Sequence, residues 1–194
     1  MNNRAILLAI AVISLLLSAC GSDRREPLLK PPPATRMLVL GVSSDPIQMS
    51  AFEKIFANTI RTESQTVCLV GTGLPDLREG INAPTLKDAL VKAHAQAVVI
   101  NSVVPTDSED GREMSLDEYL QLAQDERSSW RNLQDGVLES RMFNVDSGRE
   151  IWRGHSRHFN PLGQLRELAD ASERLASKLA GSDAIPEPLE SSES

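Results

Sequence analysis

Met37-Leu38-Val39-Leu40-Gly41-Val42 is an unbroken apolar run, with prolines shortly before it and Ser43-Ser44-Asp45-Pro46 after it. Strands of a sheet covered on both faces show this continuous pattern, whereas a strand with one wet face alternates. The run predicts a first strand buried on both sides, and with it a layered fold of sheet and helices. Just downstream, Ser50 and Glu53 have the spacing of a capping box, and Phe52, Ile55, Phe56, Thr59 and Ile60 share one helical stripe. A first helix is predicted over 51–62.

The runs Thr66 to Val70 and Ala97-Val98-Val99-Ile100 predict the second and third strands. Between them Gly71-Thr72-Gly73-Leu74-Pro75 ends the strand, and a loop of about a dozen residues leads to a helix. Thr85 with Asp88 supplies the cap of that helix, and Leu86, Leu90, Val91 and Ala93 supply its core stripe. The stretch from Pro105 to Arg112 is acidic and turn-rich. After it, Ser115 and Glu118 cap a short inserted helix carrying Leu116, Tyr119, Leu120 and Ala123. Val137 to Val145 and Glu150 to His155 form a hairpin about Asp146-Ser147-Gly148. Asn160-Pro161 opens a last helix, with Leu162, Leu165, Leu168, Ala169, Leu175, Ala176 and Leu179 on one side and Gly181 at its end. The expected fold is α/β (α+β): a single mixed sheet of about five strands with helices packed on it, in the order β-α-β-α-β-(short α insertion)-β-β-α.

Ahead of this domain, Arg4 precedes an apolar run from Ala5 to Leu17, and Leu17-Ser18-Ala19-Cys20 closes it. A basic start, a short apolar core and small residues before a cut are the parts of a secretory signal. With the cysteine directly after, the stretch closely resembles a bacterial lipoprotein signal. The run falls short of the roughly 20 residues that span a bilayer. The resemblance implies that residues 1–19 are removed, that Cys20 is acylated on sulfur and amine, and that the mature chain hangs from a membrane by its first residue. Gly21 and Ser22 follow Cys20 where inner-membrane lipoproteins carry Asp, so the resemblance implies the outer membrane, with the domain in the periplasm. Residues 20–36, with Asp23-Arg24-Arg25-Glu26 and Pro31-Pro32-Pro33, form a tether. Residues 37–181 form one domain, and residues 182–194, rich in Ser, Glu and Pro, form a disordered acidic tail.

The chain carries 20 basic and 27 acidic side chains, and loss of Arg4 with the leader takes the formal charge from −7 to −8. Such a surface does not seek nucleic acid or anionic lipid. With Cys20 held as a thioether, Cys68 has no partner for an internal disulfide. Its place in Val67-Cys68-Leu69-Val70 makes it a core residue rather than a reactive thiol.

Two segments carry a further resemblance. They are Leu38-Val39-Leu40-Gly41-Val42 with Phe52-Glu53-Lys54-Ile55-Phe56, and the hairpin Phe143-Asn144-Val145-Asp146-Ser147-Gly148-Arg149-Glu150-Ile151-Trp152. They resemble small envelope lipoproteins whose domains are similar to the amino-terminal domain of TolB and to the curli-export lipoprotein. This resemblance covers Met37 to Ala180 and implies an assembly, secretion or enzyme-activating partner in the envelope, or a homo-oligomeric ring. A membrane pore would need paired alternating segments of about ten residues, and the chain has none long enough.

The sequence asks for no catalytic residue, metal or cofactor. His155 and His158, three apart on a strand, point to opposite faces, and His94 suits the end of the second helix. Gly71-Thr72-Gly73 lacks the Lys-Ser/Thr of a phosphate loop. Asp107-Ser108-Glu109-Asp110-Gly111 has its acids off the calcium-loop spacing. No Gly-x-Ser-x-Gly elbow is present. Phe143 and Trp152 belong to the core by their strand positions. The expected partner contacts are Tyr119, Arg127, Trp130 and Arg131, in and after the inserted helix. If Cys20 is the anchor, Cys20→Ser moves the protein from the membrane to the soluble fraction and removes its acyl mass. Unchanged fractionation at unchanged mass would defeat the anchor.

Overall fold

In the computed structural model the described residues are 34–42, 46–77, 81–105, 112–126, 136–158 and 165–187, all within one compact unit, Pro33–Ser194. The lipoprotein signal, Cys20 and most of the tether lie outside them. Strand β1 (Arg36–Val42) is followed by α1 (Pro46–Glu63), β2 (Val67–Val70), short 3-10 turns at Gly71–Gly73 and Pro75–Leu77, α2 (Ala83–Ala93) and β3 (Ala97–Val104). Then come α3 (Leu116–Glu126), β4 (Val137–Asn144), β5 (Glu150–His155) and α4 (Leu165–Ala180). The strands form one mixed sheet in the order β2-β1-β3-β4-β5. β1 is parallel to both β2 and β3, while β4 and β5 continue antiparallel. This is the expected fold.

β1 shows why the run beginning at Met37 is apolar throughout. Met37 and Val39 face a layer of α1 and α4, meeting Phe52, Phe56, Ile60, Leu175 and Leu179. Leu38, Leu40 and Val42 face the other layer, meeting Leu86 and Leu90 of α2 and Leu116, Tyr119 and Leu120 of α3. Each fully buried Leu or Phe contributes about 1.5–3 kcal/mol relative to exposure, and both layers draw on the same strand.

Several local expectations change. Helix α1 begins at Pro46, not Ala51, with proline at a first-turn position that needs no N–H donor. Ser50 therefore lies inside the helix, and Glu53 is not a capping residue. Its side chain is buried, and its Oε1 and Oε2 accept from the backbone N–H groups of Gly41 (3.1 Å) and Thr72 (2.7 Å). These amides stand where β1 and β2 end, and the carboxyl supplies the acceptors that the ladder no longer offers. A Cβ on Gly71 would collide with the Leu40 side chain and press on Glu53 Oε1, so a larger residue here requires Leu40 to move. In α2 the cap is Asn82 with Thr85, not Thr85 with Asp88. The core stripe there is Leu86, Ala89, Leu90 and Ala93, while Val91 is 71% exposed. The Ser115–Glu118 box stands as expected: Glu118 Oε2 accepts from Ser115 N (2.8 Å), and Glu118 N donates to Ser115 Oγ (3.3 Å).

The chain end also differs. Ala184 and Ile185, read as tail, pack against the α1–α4 layer. Thr35 donates to the Pro186 carbonyl, and Gln96 Nε2 to that of Glu187. Apolar Ala184-Ile185-Pro186 is what makes this docking possible. Residues 188–194 lie outside the described residues.

Cys68 is buried in the α1–α4 layer. Burial pushes its thiol up to about 11, against a smaller downward pull from Arg61. The thiolate is the nucleophile, so in the folded protein near pH 8 Cys68 should resist iodoacetamide and should react once urea exposes it. Mass spectrometry of the two samples checks this, and equal labelling in both would refute the burial.

Candidate functional site

The sequence of β4 and β5 places unlike charges on one face at the antiparallel edge of the sheet. Glu139 pairs across the ladder with His155, and Arg141 with Arg153. Arg141 grips Glu139 with two hydrogen bonds, Nε to Oε1 at 2.7 Å and Nη2 to Oε2 at 3.0 Å. Its Nη1 reaches Glu150 at 3.1 Å, which is held in turn by Arg153 at 2.6 and 3.0 Å. His155 Nε2 donates to Glu139 Oε2 at 2.9 Å, since a carboxylate can only accept. Tyr119 of α3 lies over the Arg141 guanidinium, 5.0 Å from CZ to ring centre, and its hydroxyl shares a 2.6 Å hydrogen bond with Ser102. Burial, and then the charge of Glu139, push the Tyr119 hydroxyl up from its ordinary value.

This network holds the strap that precedes α3. The Arg112 carbonyl accepts from Arg141 and Arg153. Leu116 N donates to Gly148 O in the hairpin loop at 2.9 Å, beside a bridge between Ser115 and Arg149. Gly148, at φ +65°, is the loop residue that requires the left-handed region.

The strap, the hairpin loop and α2 together wall a groove of about 530 Å³. Leu90, Leu116 and Val145 supply apolar lining, beside the exposed Val91. Lys87 and Asp117 form an exposed ion pair at 3.0 Å, with Asp146 nearby. The groove's hydroxyls are engaged: Ser115 Oγ donates to Glu118, and Ser147 Oγ to Asn144. An apolar lining with a polar rim of this size suits binding.

Of the expected contact residues, Tyr119 is corrected. It is 3% exposed and serves the core, because it is the α3 position that must cover Arg141 and Phe143. Arg127, Trp130 and Arg131 lie outside the described residues, as does Asp107 to Gly111. Phe143 is wholly buried, and Trp152 packs half-buried against the α1–α4 layer. Gly71–Gly73 forms a 3-10 turn, and Thr72 N donates to Glu53. His155 is bound to Glu139, His158 stands exposed beyond β5, and His94 caps α2 in the left-handed region. Among the described residues no group of three or more His, Cys, Asp or Glu could hold a metal ion. The groove-lining Lys87, Val91, Asp117 and Asp146 were not singled out as contacts. The usable signal was Val91, which falls beside the stripe of Leu86, Ala89, Leu90 and Ala93.

Burial alone would raise the Glu139 carboxyl, but its hydrogen bonds to His155 and Arg141, and their charges, outweigh it and hold it at about 2. With the folded value below the unfolded one, the stabilisation is complete above the ordinary value of 4.5 and is lost as pH falls toward 2. Glu139→Gln should cost about 3–5 kcal/mol near neutral pH by leaving buried Arg141 underpaired. It should also flatten the acid dependence, as read from urea midpoints between about pH 6 and pH 2.5. An unchanged neutral midpoint would show that the network carries no stability.

No family model matches the chain, and no curated protein matches it in sequence. Among solved structures it is similar to the PelC dodecamer from Paraburkholderia phytofirmans, at 14% identity over 77% of this chain and 90% of that one, with a TM-score of 0.45. It is also similar to the lipoprotein GNA1162 from Neisseria meningitidis, at 12% identity over 78% and 99%, with a TM-score of 0.41. For TolB from Acinetobacter baumannii the identity is 10% over 79% and 28%, with a TM-score of 0.39. At these levels no residue of this chain takes a role from any of them.

Proposed function

We propose that this chain is a non-enzymatic lipoprotein, held at the outer membrane by acylated Cys20. Its periplasmic α/β domain binds a protein of an envelope machine for transport, secretion or wall synthesis. The observation that carries the binding role is the open groove of about 530 Å³, with apolar lining and its hydroxyls already engaged. The anchor rests on Leu17-Ser18-Ala19-Cys20. A lipid that confines the search to one membrane plane raises effective concentration, so a modest groove suffices. The acidic surface favours a partner that is basic around its apolar contact.

A homo-oligomeric ring is the second reading. It would use the same α2–hairpin side, where Val91 stands 71% exposed beside the groove.

A photo-crosslinking residue at position 91, in cells, tests the first reading. We expect one adduct with a different protein, weakened at least about tenfold by a groove charge such as Val145→Asp, and lost in Cys20→Ser. Val91→Asp itself should leave stability within about 0.5 kcal/mol, because the site is exposed. Ladders of self-adducts would favour the ring, and the absence of any specific adduct would overturn the groove as a docking site.

A further inference from the structure

Glu53 is treated differently from the other buried carboxylates described above. Glu139 is paired with Arg141 and His155, and Glu150 with Arg141 and Arg153. Glu53, 1% exposed, meets backbone N–H groups of Gly41 and Thr72, and no cationic side chain among the described residues pairs with it. A carboxylate has about four acceptor positions, and these two amides use two. Buried charges are ordinarily paired. Glu53 also lines a cavity of about 220 Å³, where the described lining is apolar at Leu40, Met49, Leu77 and Ile81 and is completed by Gly71 and Thr72. The cavity lies at the carboxyl ends of parallel strands β1 and β2, the end of an open α/β sheet where ligands bind. A cavity of about 150 Å³ already admits benzene.

We propose that this cavity binds a small organic cation, an ammonium or guanidinium on an apolar body of about the size of a benzene ring, with Glu53 as its counter-charge. The ion pairs with the carboxylate, and the body covers Leu77 and Ile81. Such chemistry is offered by a free amine or by a lysine side chain. The site is separate from the groove at Val91 and does not depend on what that groove binds.

The test is a titration of the 15N-labelled mature chain carrying Cys20→Ser, using benzylammonium, benzyl alcohol and benzoate. Saturable shifts of the Gly41 and Thr72 amides are expected with benzylammonium alone. Glu53→Gln should weaken binding by at least about tenfold, since it removes a charge-assisted hydrogen bond. If Glu53→Gln fails to fold, Ile81→Phe keeps the carboxylate, fills the space and should abolish the shifts. Nα-acetyl-lysinamide saturating the same amides would identify a protein side chain as an admissible source, whereas shifts with benzylammonium alone would identify a free amine. Equal shifts with benzyl alcohol, no saturation with either cation, or unchanged binding in Ile81→Phe would overturn the proposal.

Discussion

Everything in this fold hangs on β1 having no solvent face. Met37 and Val39 commit one side of the sheet to α1 and α4, and Leu38, Leu40 and Val42 commit the other to α2 and α3. A parallel strand in that position needs crossovers, and the crossovers need helices, so the order of elements follows from a strand with two dry faces. Because β2 and β3 flank β1 in parallel, the three strands end together on one side. There the backbone loses ladder partners, and Glu53 reaches in from α1 to supply acceptors.

The antiparallel half solves a different problem. Beyond β3 the α2–α3 face of the sheet is no longer filled by aliphatic side chains, and Glu139, Arg141, Glu150 and Arg153 occupy it instead, under Tyr119 and the Arg112 strap. A buried network of this kind contributes little net stability compared with a well-packed apolar cluster, yet removing one member strands the rest. Its use here is geometric. The forked guanidinium bonds fix the hairpin to the strap, and that junction shapes one wall of the groove.

The parts of the sequence that report continuity and turn chemistry were legible: the unbroken runs of β1 and β3, the β4–β5 hairpin about Asp146-Ser147-Gly148, and the Ser115–Glu118 box. What was hidden depended on depth. Ser50 and Glu53 match a capping box in spacing, but spacing carries no information about whether a carboxyl faces water or the ends of two strands. Leu86, Leu90 and Val91 are equally apolar, and only the phase set by Ala89 and Ala93 turns Val91 outward. Tyr119 looked like a contact because aromatics on short amphipathic helices serve both surfaces and cores. Its burial follows from Arg141, a charge 22 positions away whose own burial no local pattern announces.

The two sheet edges bear on how copies of this chain could meet. β2 offers only four residues, too short an edge to template a stable added strand. β5 is longer, but Arg153 and His155 are drawn inward onto Glu150 and Glu139, so the charges it carries are bound to its own sheet. Edges blunted by short length or by inward-held charge resist strand addition. An assembly of this domain, with itself or with another protein, is therefore better served by the α2–hairpin side, where Val91 and the groove present apolar surface without unpaired backbone, than by extending the sheet.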